Sequence, residues 1–258
     1  MCELFGISSK EEVEVNDYLN EFFSHSSEHP HGWGIARLDG MEVSIEKEPV
    51  QASKSQRLKD RLFMPIRVKT AFAHIRKATI GNLDYHNCHP YTMKDMSGRQ
   101  WTLIHNGTVF NYPLLDAYKA VQKGNTDSER ILLYIVDMIN QAERELQRDL
   151  DAKERFDILD SLIVKMSKEN KLNLMLYDGE LFYVHTNYRN SLYQLQKESR
   201  IIFSTTPLSQ EGWSPVLFTT LLAYQEGKKV FQGTEHGNEY IESEENIKFL
   251  NEAAKKNG

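Results

Sequence analysis

Cysteine is scarce here: only Cys2 and Cys88 occur in 258 residues. Two thiols exclude a disulfide framework, and a reducing compartment is the natural setting. Long apolar runs are missing as well, with none approaching the ~18 residues that a membrane-spanning helix needs. The N-terminus lacks a basic segment followed by an apolar one, so no secretory leader and no membrane partner are expected, and the expected location is the cytoplasm. Positive charge is not in excess either. Lys and Arg number 31 against 37 Asp and Glu, and the net charge of −6 removes the electrostatic reason to expect nucleic acid as a partner. Repeats, low-complexity linkers and Pro/Gly/Ser-rich boundaries are also lacking, which predicts one domain over residues 2–258.

What is present is an ordinary globular composition, 40% hydrophobic and 26% charged. Leu4 to Ser8 reads as a short buried strand with Cys2 at its mouth. Glu11 to His25 carries a helical stripe of Val15, Tyr18, Leu19, Phe22 and Phe23. Asp39-Gly40, between apolar runs, predicts a hairpin turn. Val68 to His74 and Trp101 to His105 read as strands, the second ending at Asn106-Gly107. Thr126 and Glu129 form a capping-box pattern ahead of the clearest helix, which runs to Leu146, and Phe156 to Met166 carries a second apolar stripe. Leu172 to Tyr177, Leu181 to His185, Ile201 to Ser204 and Lys229 to Gln232 return to strands, and Asn246 to Lys256 is a polar tail with helical character. Strands, then helices, then strands again predict an α+β layered domain rather than an alternating βαβ sheet.

Several short stretches could carry chemistry. Cys2 follows Met1, and a small second residue permits trimming of the initiator methionine. The freed α-amine would then sit on the same residue as the thiol. Its pKa of ~7.7–8.0 is close enough to the thiol's ~8.5 for it to act as a general base. The alternative is a buried structural cysteine. Arg76 ends a strand, where its planar fork suits a carboxylate, though a surface ion pair is the commoner use of such a residue. His86, Cys88 and His89 fall within four residues and invite a zinc reading, but no second ligand pair follows at finger-like spacing. Asn106-Gly107 could aim two donors at a developing oxyanion, or could simply make a turn. Asp127 opens a helix, where acids usually complement the dipole.

The order of these stretches resembles the class II glutamine amidotransferases, the glutaminase domains of the N-terminal-nucleophile family. The likeness runs from residue 2 to about residue 130, with echoes at Ser204 to Trp213. It implies the four-layer αββα sandwich of N-terminal-nucleophile hydrolases, with Cys2 as nucleophile and its own amine managing the proton. It further implies an oxyanion hole of the Asn106 side chain and the Gly107 N–H. Arg76 would bind the glutamine α-carboxylate, Asp127 the α-ammonium, and Thr79 and His89 would line the pocket. No cofactor and no metal is implied.

Lys77 and Ile80 depart from the Arg-Trp-Ala-Thr-His-Gly pattern of many relatives. His31-Gly32-Trp33-Gly34-Ile35-Ala36 replaces the Arg-Gly-x-Asp-Ser of the sugar-amidating enzymes and looks like the small stand-alone subfamily. No synthase region follows in the sequence, so the acceptor of any ammonia is not encoded here, and a synthase partner protein is one candidate for supplying it. Two rival readings stand beside this one. A hydrolase of γ-glutamyl peptides or amines would use the same residues for the γ-glutamyl head. A non-catalytic metal-binding or regulatory subunit would use His86, Cys88 and His89 instead.

Overall fold

The computed structural model describes residues 2–257, with side chains described through residue 253. The chain opens with strand β1 (Glu3–Glu14), followed by helix α1 (Asn16–Ser24) and the hairpin β2 (Trp33–Asp39) and β3 (Glu42–Glu48). Helix α2 (Gln56–Phe63) leads into β4 (Arg67–Ile75), β5 (Tyr91–Lys94) and β6 (Gln100–Thr108). Two long helices come next, α3 (Asp127–Leu146) and α4 (Ala152–Met166), and then β7 (Lys171–Tyr177) and β8 (Phe182–His185). The last part holds β9 (Tyr193–Gln196), β10 (Arg200–Ser204), β11 (Ser214–Pro215), β12 (Leu222–Gln225), β13 (Lys228–Gln232) and helix α5 (Glu244–Asn257).

These strands form two antiparallel sheets. The first runs β11-β9-β10-β1-β4-β2-β3 and the second β13-β12-β8-β7-β6-β5. Strand alternation sorts the apolar residues onto two faces of each sheet. On the first sheet, Phe5 and Ile7 pack with Leu19, Phe22 and Phe23 of α1 and Leu58 of α2. On the second, Leu103, Leu172 and Leu174 pack with Ile135 and Ile139 of α3 and Phe156 and Leu159 of α4. A third cluster joins residues of both sheets: Leu4, Ala36 and Phe72 meet Ile104, Met175 and Val184. Gly6 permits this approach, since a Cβ there would fall 2.6 Å from Met175 Sδ and 2.7 Å from Phe182 Cζ.

Three local readings change once the sheets are in place. Glu11 to Glu14 is strand rather than helix. After a bulge, β1 resumes pairing with β4 (Val13 opposite Val68, Glu14 opposite Arg67), and ladder hydrogen bonds satisfy the backbone that a helix would otherwise use. The Asp39-Gly40 hairpin turns at Gly40-Met41, because Asp39 pairs with Glu42 and only Gly40 takes a positive φ, 55°. Asn106-Gly107 is not a turn: β6 continues through Thr108, with Asn106 opposite Asn173 and Gly107 opposite Leu172. The N-cap of α3 is as expected, Thr126 Oγ1 accepting from Glu129 N at 3.2 Å. Glu129, however, turns back to accept from the N–H groups of Lys123 and Gly124.

Buried Arg155 ties α4 to the β7–β8 turn, donating to Asp178 (2.7 Å), Glu180 (2.6 Å) and the Leu150 carbonyl (2.8 Å). Among the described residues no helix is long and apolar enough to cross a membrane.

Candidate active site

Cys2 stands just before β1, in phase with Leu4 on the face that looks toward the second sheet. The strand's start is pinned by a reciprocal pair, Leu4 N donating to Thr205 Oγ1 (2.8 Å) and Thr205 N to the Leu4 carbonyl (3.0 Å). The Cys2 thiol is half-buried and donates weakly to the Lys77 carbonyl at 3.5 Å. Burial pushes its pKa up; the Lys77 contact and the Arg76 guanidinium act against that rise without cancelling it. Met1, whose removal the sequence reading requires, lies outside the described residues.

Across from the thiol is the end of β6. Asn106 is buried, and its Nδ2 finds no hydrogen-bond partner among the described residues. An unmatched buried amide donor costs free energy, so its presence in a cavity wall marks a place where an acceptor is wanted. Gly107 cannot be replaced without a shift, because a Cβ there would lie 2.0 Å from the Lys171 carbonyl oxygen and 2.4 Å from His105 Nε2. His105 bonds Ser128 Oγ through Nδ1 at 3.0 Å, which links this strand end to the first turn of α3.

Cys2, Thr79, Asn106 and Gly107 line one cavity together with Lys171, Tyr240 and Glu242. That cavity has a volume of about 20 Å³, room for roughly one water molecule. Leu250 of α5 also lines it, and α5 rests on Phe110 through an edge contact from Phe249 (5.7 Å between ring centres).

Arg76, Asp127 and His89 stand in the wall behind the cavity rather than on its lining. The buried Arg76 guanidinium donates to the carbonyls of Ile80 (3.0 Å), Gly81 (2.9 Å) and Asn82 (2.9 Å), curling the 80–82 loop around itself. Asn87 and Asn125 lock that loop: Asn87 Nδ2 donates to the Asn82 carbonyl and to Asn125 Oδ1, while Asn125 N donates to Asn87 Oδ1. Asp127 accepts from Val109 N (2.8 Å) and Ser128 N (2.9 Å), so its carboxylate already faces backbone donors.

His89 lies against His74 with ring centres 4.0 Å apart and the rings tilted by 32°, and the His89 nitrogens find no partner among the described residues. Burial pushes both pKa values well below the usual imidazole range. His105 moves the same way, and His185 falls to about 3. Depressed histidines leave the folded chain binding fewer protons than the unfolded chain below pH ~6.5. Stability is therefore expected to be full above pH ~6.5 and to fall as the pH drops from there, by up to ~1.4 kcal/mol per pH unit for each such histidine. Urea melts at pH 7.5 and 5.5 check this; equal midpoints would contradict it.

The zinc stretch does not assemble. Cys88 is buried and hydrogen-bonded to the Asp84 carbonyl, and no three potential ligands converge among the described residues.

Sequence reasoning missed Lys171, Tyr240 and Glu242 on the cavity wall. Lys171 carried a faint signal: it precedes the apolar run Leu172 to Tyr177, where alternation could have raised the question of its face. Tyr240 and Glu242 lie in an irregular stretch with no periodicity to read.

Comparison with known proteins gives the family and the fold. Residues 1–199 match the glutamine amidotransferases class-II family. An uncharacterised protein of Methanocaldococcus jannaschii is 28% identical over 258 residues, spanning 90% of this chain and 71% of that one. Among solved structures, the predicted glutamine amidotransferase from Pseudomonas aeruginosa superposes with a TM-score of 0.62 at 18% identity, over 89% of this chain and all of that one. The glutamine phosphoribosylpyrophosphate amidotransferase from Bacillus subtilis superposes with a TM-score of 0.65 at 16% identity, and the match spans 91% of this chain but 49% of that one.

Proposed function

This chain belongs to the class II glutamine amidotransferases, and on that footing we propose that it releases ammonia from the side-chain amide of glutamine through a thioester on Cys2, within a four-layer αββα framework. The observation that carries the reading is the Asn106 amide donor, buried, unmatched among the described residues, and on the wall of the cavity that also holds the Cys2 thiol.

With Met1 removed, the α-amine of Cys2 takes the thiol proton, directly or through a water, and the sulfur attacks the glutamine δ-carbon. Negative charge moves onto the amide oxygen, where Asn106 Nδ2 and the Gly107 N–H stabilise it. The C–N bond then breaks, ammonia leaves with the returned proton, and water hydrolyses the thioester to glutamate. Arg76 and Asp127 hold the α-carboxylate and α-ammonium. Arg76 exchanges its neutral carbonyl partners for the substrate carboxylate, a favourable swap because charge-assisted hydrogen bonds are about twice as strong as neutral ones. Holding both fixed charges places the amide over the sulfur. Thr79 lines the pocket, and His89 supports it from behind.

Ammonia release from glutamine by the purified chain, after mass spectrometry confirms that Cys2 is N-terminal, tests the reading. A trimmed, folded chain that releases none would overturn it.

Free glutamine is far larger than one water, and the stretch from Tyr240 to Leu250, which lines the cavity, is the segment we infer to swing aside for it to enter. An aromatic pair such as Phe110–Phe249 contributes ~0.5–1.5 kcal/mol. Phe249→Ser is therefore expected to shift the population toward the open form and lower KM for glutamine by about two- to tenfold. An unchanged or higher KM would mean that this stretch does not oppose substrate entry.

A further inference from the structure

Lys171 has no part in the reaction as described, yet its place in the fold is unusual for a lysine. It opens β7, whose alternation sends Leu172, Leu174 and Leu176 toward α3 and α4 and Met175 and Tyr177 toward the first sheet. Lys171 is in phase with Met175 and Tyr177. Its register partner is Thr108, two residues beyond Asn106, so Asn106, Thr108 and Lys171 share the inner face at one end of the second sheet. Cys2 is in phase with Leu4 on the inner face of the first sheet.

The lysine and the thiol thus approach one cavity from opposite sheets, and both line it. The cavity they share is small, about 20 Å³. The Lys171 side chain is buried, with its ammonium 3.5 Å from the centre of the Tyr188 ring and 5.9 Å from that of Tyr240. Ring faces at these distances attract a cation.

We propose that Lys171 is an electrostatic residue of the nucleophile site, its ammonium stabilising the Cys2 thiolate. The step it assists is the loss of the S–H proton to the α-amine or to water; Lys171 keeps its own proton throughout. The proposal rests on Cys2 being the nucleophile. The other charged or titratable groups near the thiol are the α-amine that Cys2 itself carries once Met1 is removed, Arg76 at the end of β4, Lys77 in the adjoining loop, Cys88, Asp127 at the start of α3, and Tyr240 and Glu242 from the C-terminal stretch. Arg76 acts on the thiol in the same sense as Lys171, and Asp127 and Glu242 offset part of the positive charge. Burial draws the Lys171 pKa down to about 8, against the pull of Glu242 and Cys2, so the ammonium is mostly intact at pH 7.

The pH dependence of Cys2 alkylation by iodoacetamide, read at that residue by mass spectrometry, tests the assignment without any glutamine turnover. Lys171→Met removes the charge but keeps most of the bulk. It is expected to move the midpoint up by ~1 pH unit and slow alkylation at pH 7 about tenfold. Lys171→Arg should restore the wild-type profile, which a purely structural role would not require. Lys171→Gln serves as the neutral variant if Lys171→Met does not melt cooperatively. A neutral variant whose profile superimposes on the wild type, or an Arg variant displaced as far as the neutral one, would overturn the proposal. A displaced midpoint in a chain that releases no ammonia would keep the Lys171 assignment and sink the reaction instead.

Discussion

Cys2→Ala is expected to lower glutamine turnover by at least ~10⁴-fold while leaving the melting temperature nearly unchanged. The size follows from losing the atom that forms the covalent intermediate; what survives such a loss is the modest catalysis of binding and oxyanion stabilisation alone. Stability should hold because among the described residues the thiol makes a single long hydrogen bond, 3.5 Å to the Lys77 carbonyl, and the strand's start is anchored instead by Leu4 and Thr205.

Cys88 provides the internal control. It is almost fully buried, and burial pushes its thiol up to about 11, so at neutral pH it is a poor nucleophile. A diazo-ketone analogue of glutamine should therefore label the chain once, at Cys2. The assignment fails if the label is found on Cys88, or if the Ala variant keeps more than about a hundredth of the activity.

Asn106→Ala comes next in expected effect, a loss of ~10²–10³ in kcat, equivalent to ~2.7–4 kcal/mol of transition-state stabilisation. The geometry makes the expectation unusually specific. Asn106 Nδ2 has no partner among the described residues, so deleting it sacrifices no hydrogen bond in the resting structure. The donor matters only when negative charge develops in the cavity, and the loss should fall on kcat rather than KM. The melting temperature should stay the same or rise slightly, since an unmatched buried polar group is removed. Asn106→Asp, which keeps the shape but replaces the donor with an acceptor, should be at least as damaging. A drop of less than threefold in kcat would mean that Asn106 does not face the oxyanion. A large loss of stability would mean that it is chiefly structural.

Much of this protein was determined by its sequence read alone. The strand that carries Cys2, the α3 helix with its Thr126 cap, the α4 stripe and the α+β class are all local matters of periodicity and capping, governed by residues a few positions apart. The ordered series of Cys2, Arg76, Asn106-Gly107 and Asp127 was likewise legible, because motif spacing is written along the chain.

Only the tertiary structure decided what those residues face. Whether Asn106-Gly107 is a turn or a paired strand depends on β7 lying beside it, more than sixty residues away. That Arg76 curls its own loop, and that Asp127 already holds the Val109 and Ser128 amides, depends on loops brought together from three places in the chain. Lys171 is the plainest case. A lysine ahead of an apolar strand is unremarkable until pairing with β6 fixes which face it takes. Side chains in a strand alternate with a period of two, so a shift of one residue in that register would have turned Lys171 away from Cys2 altogether.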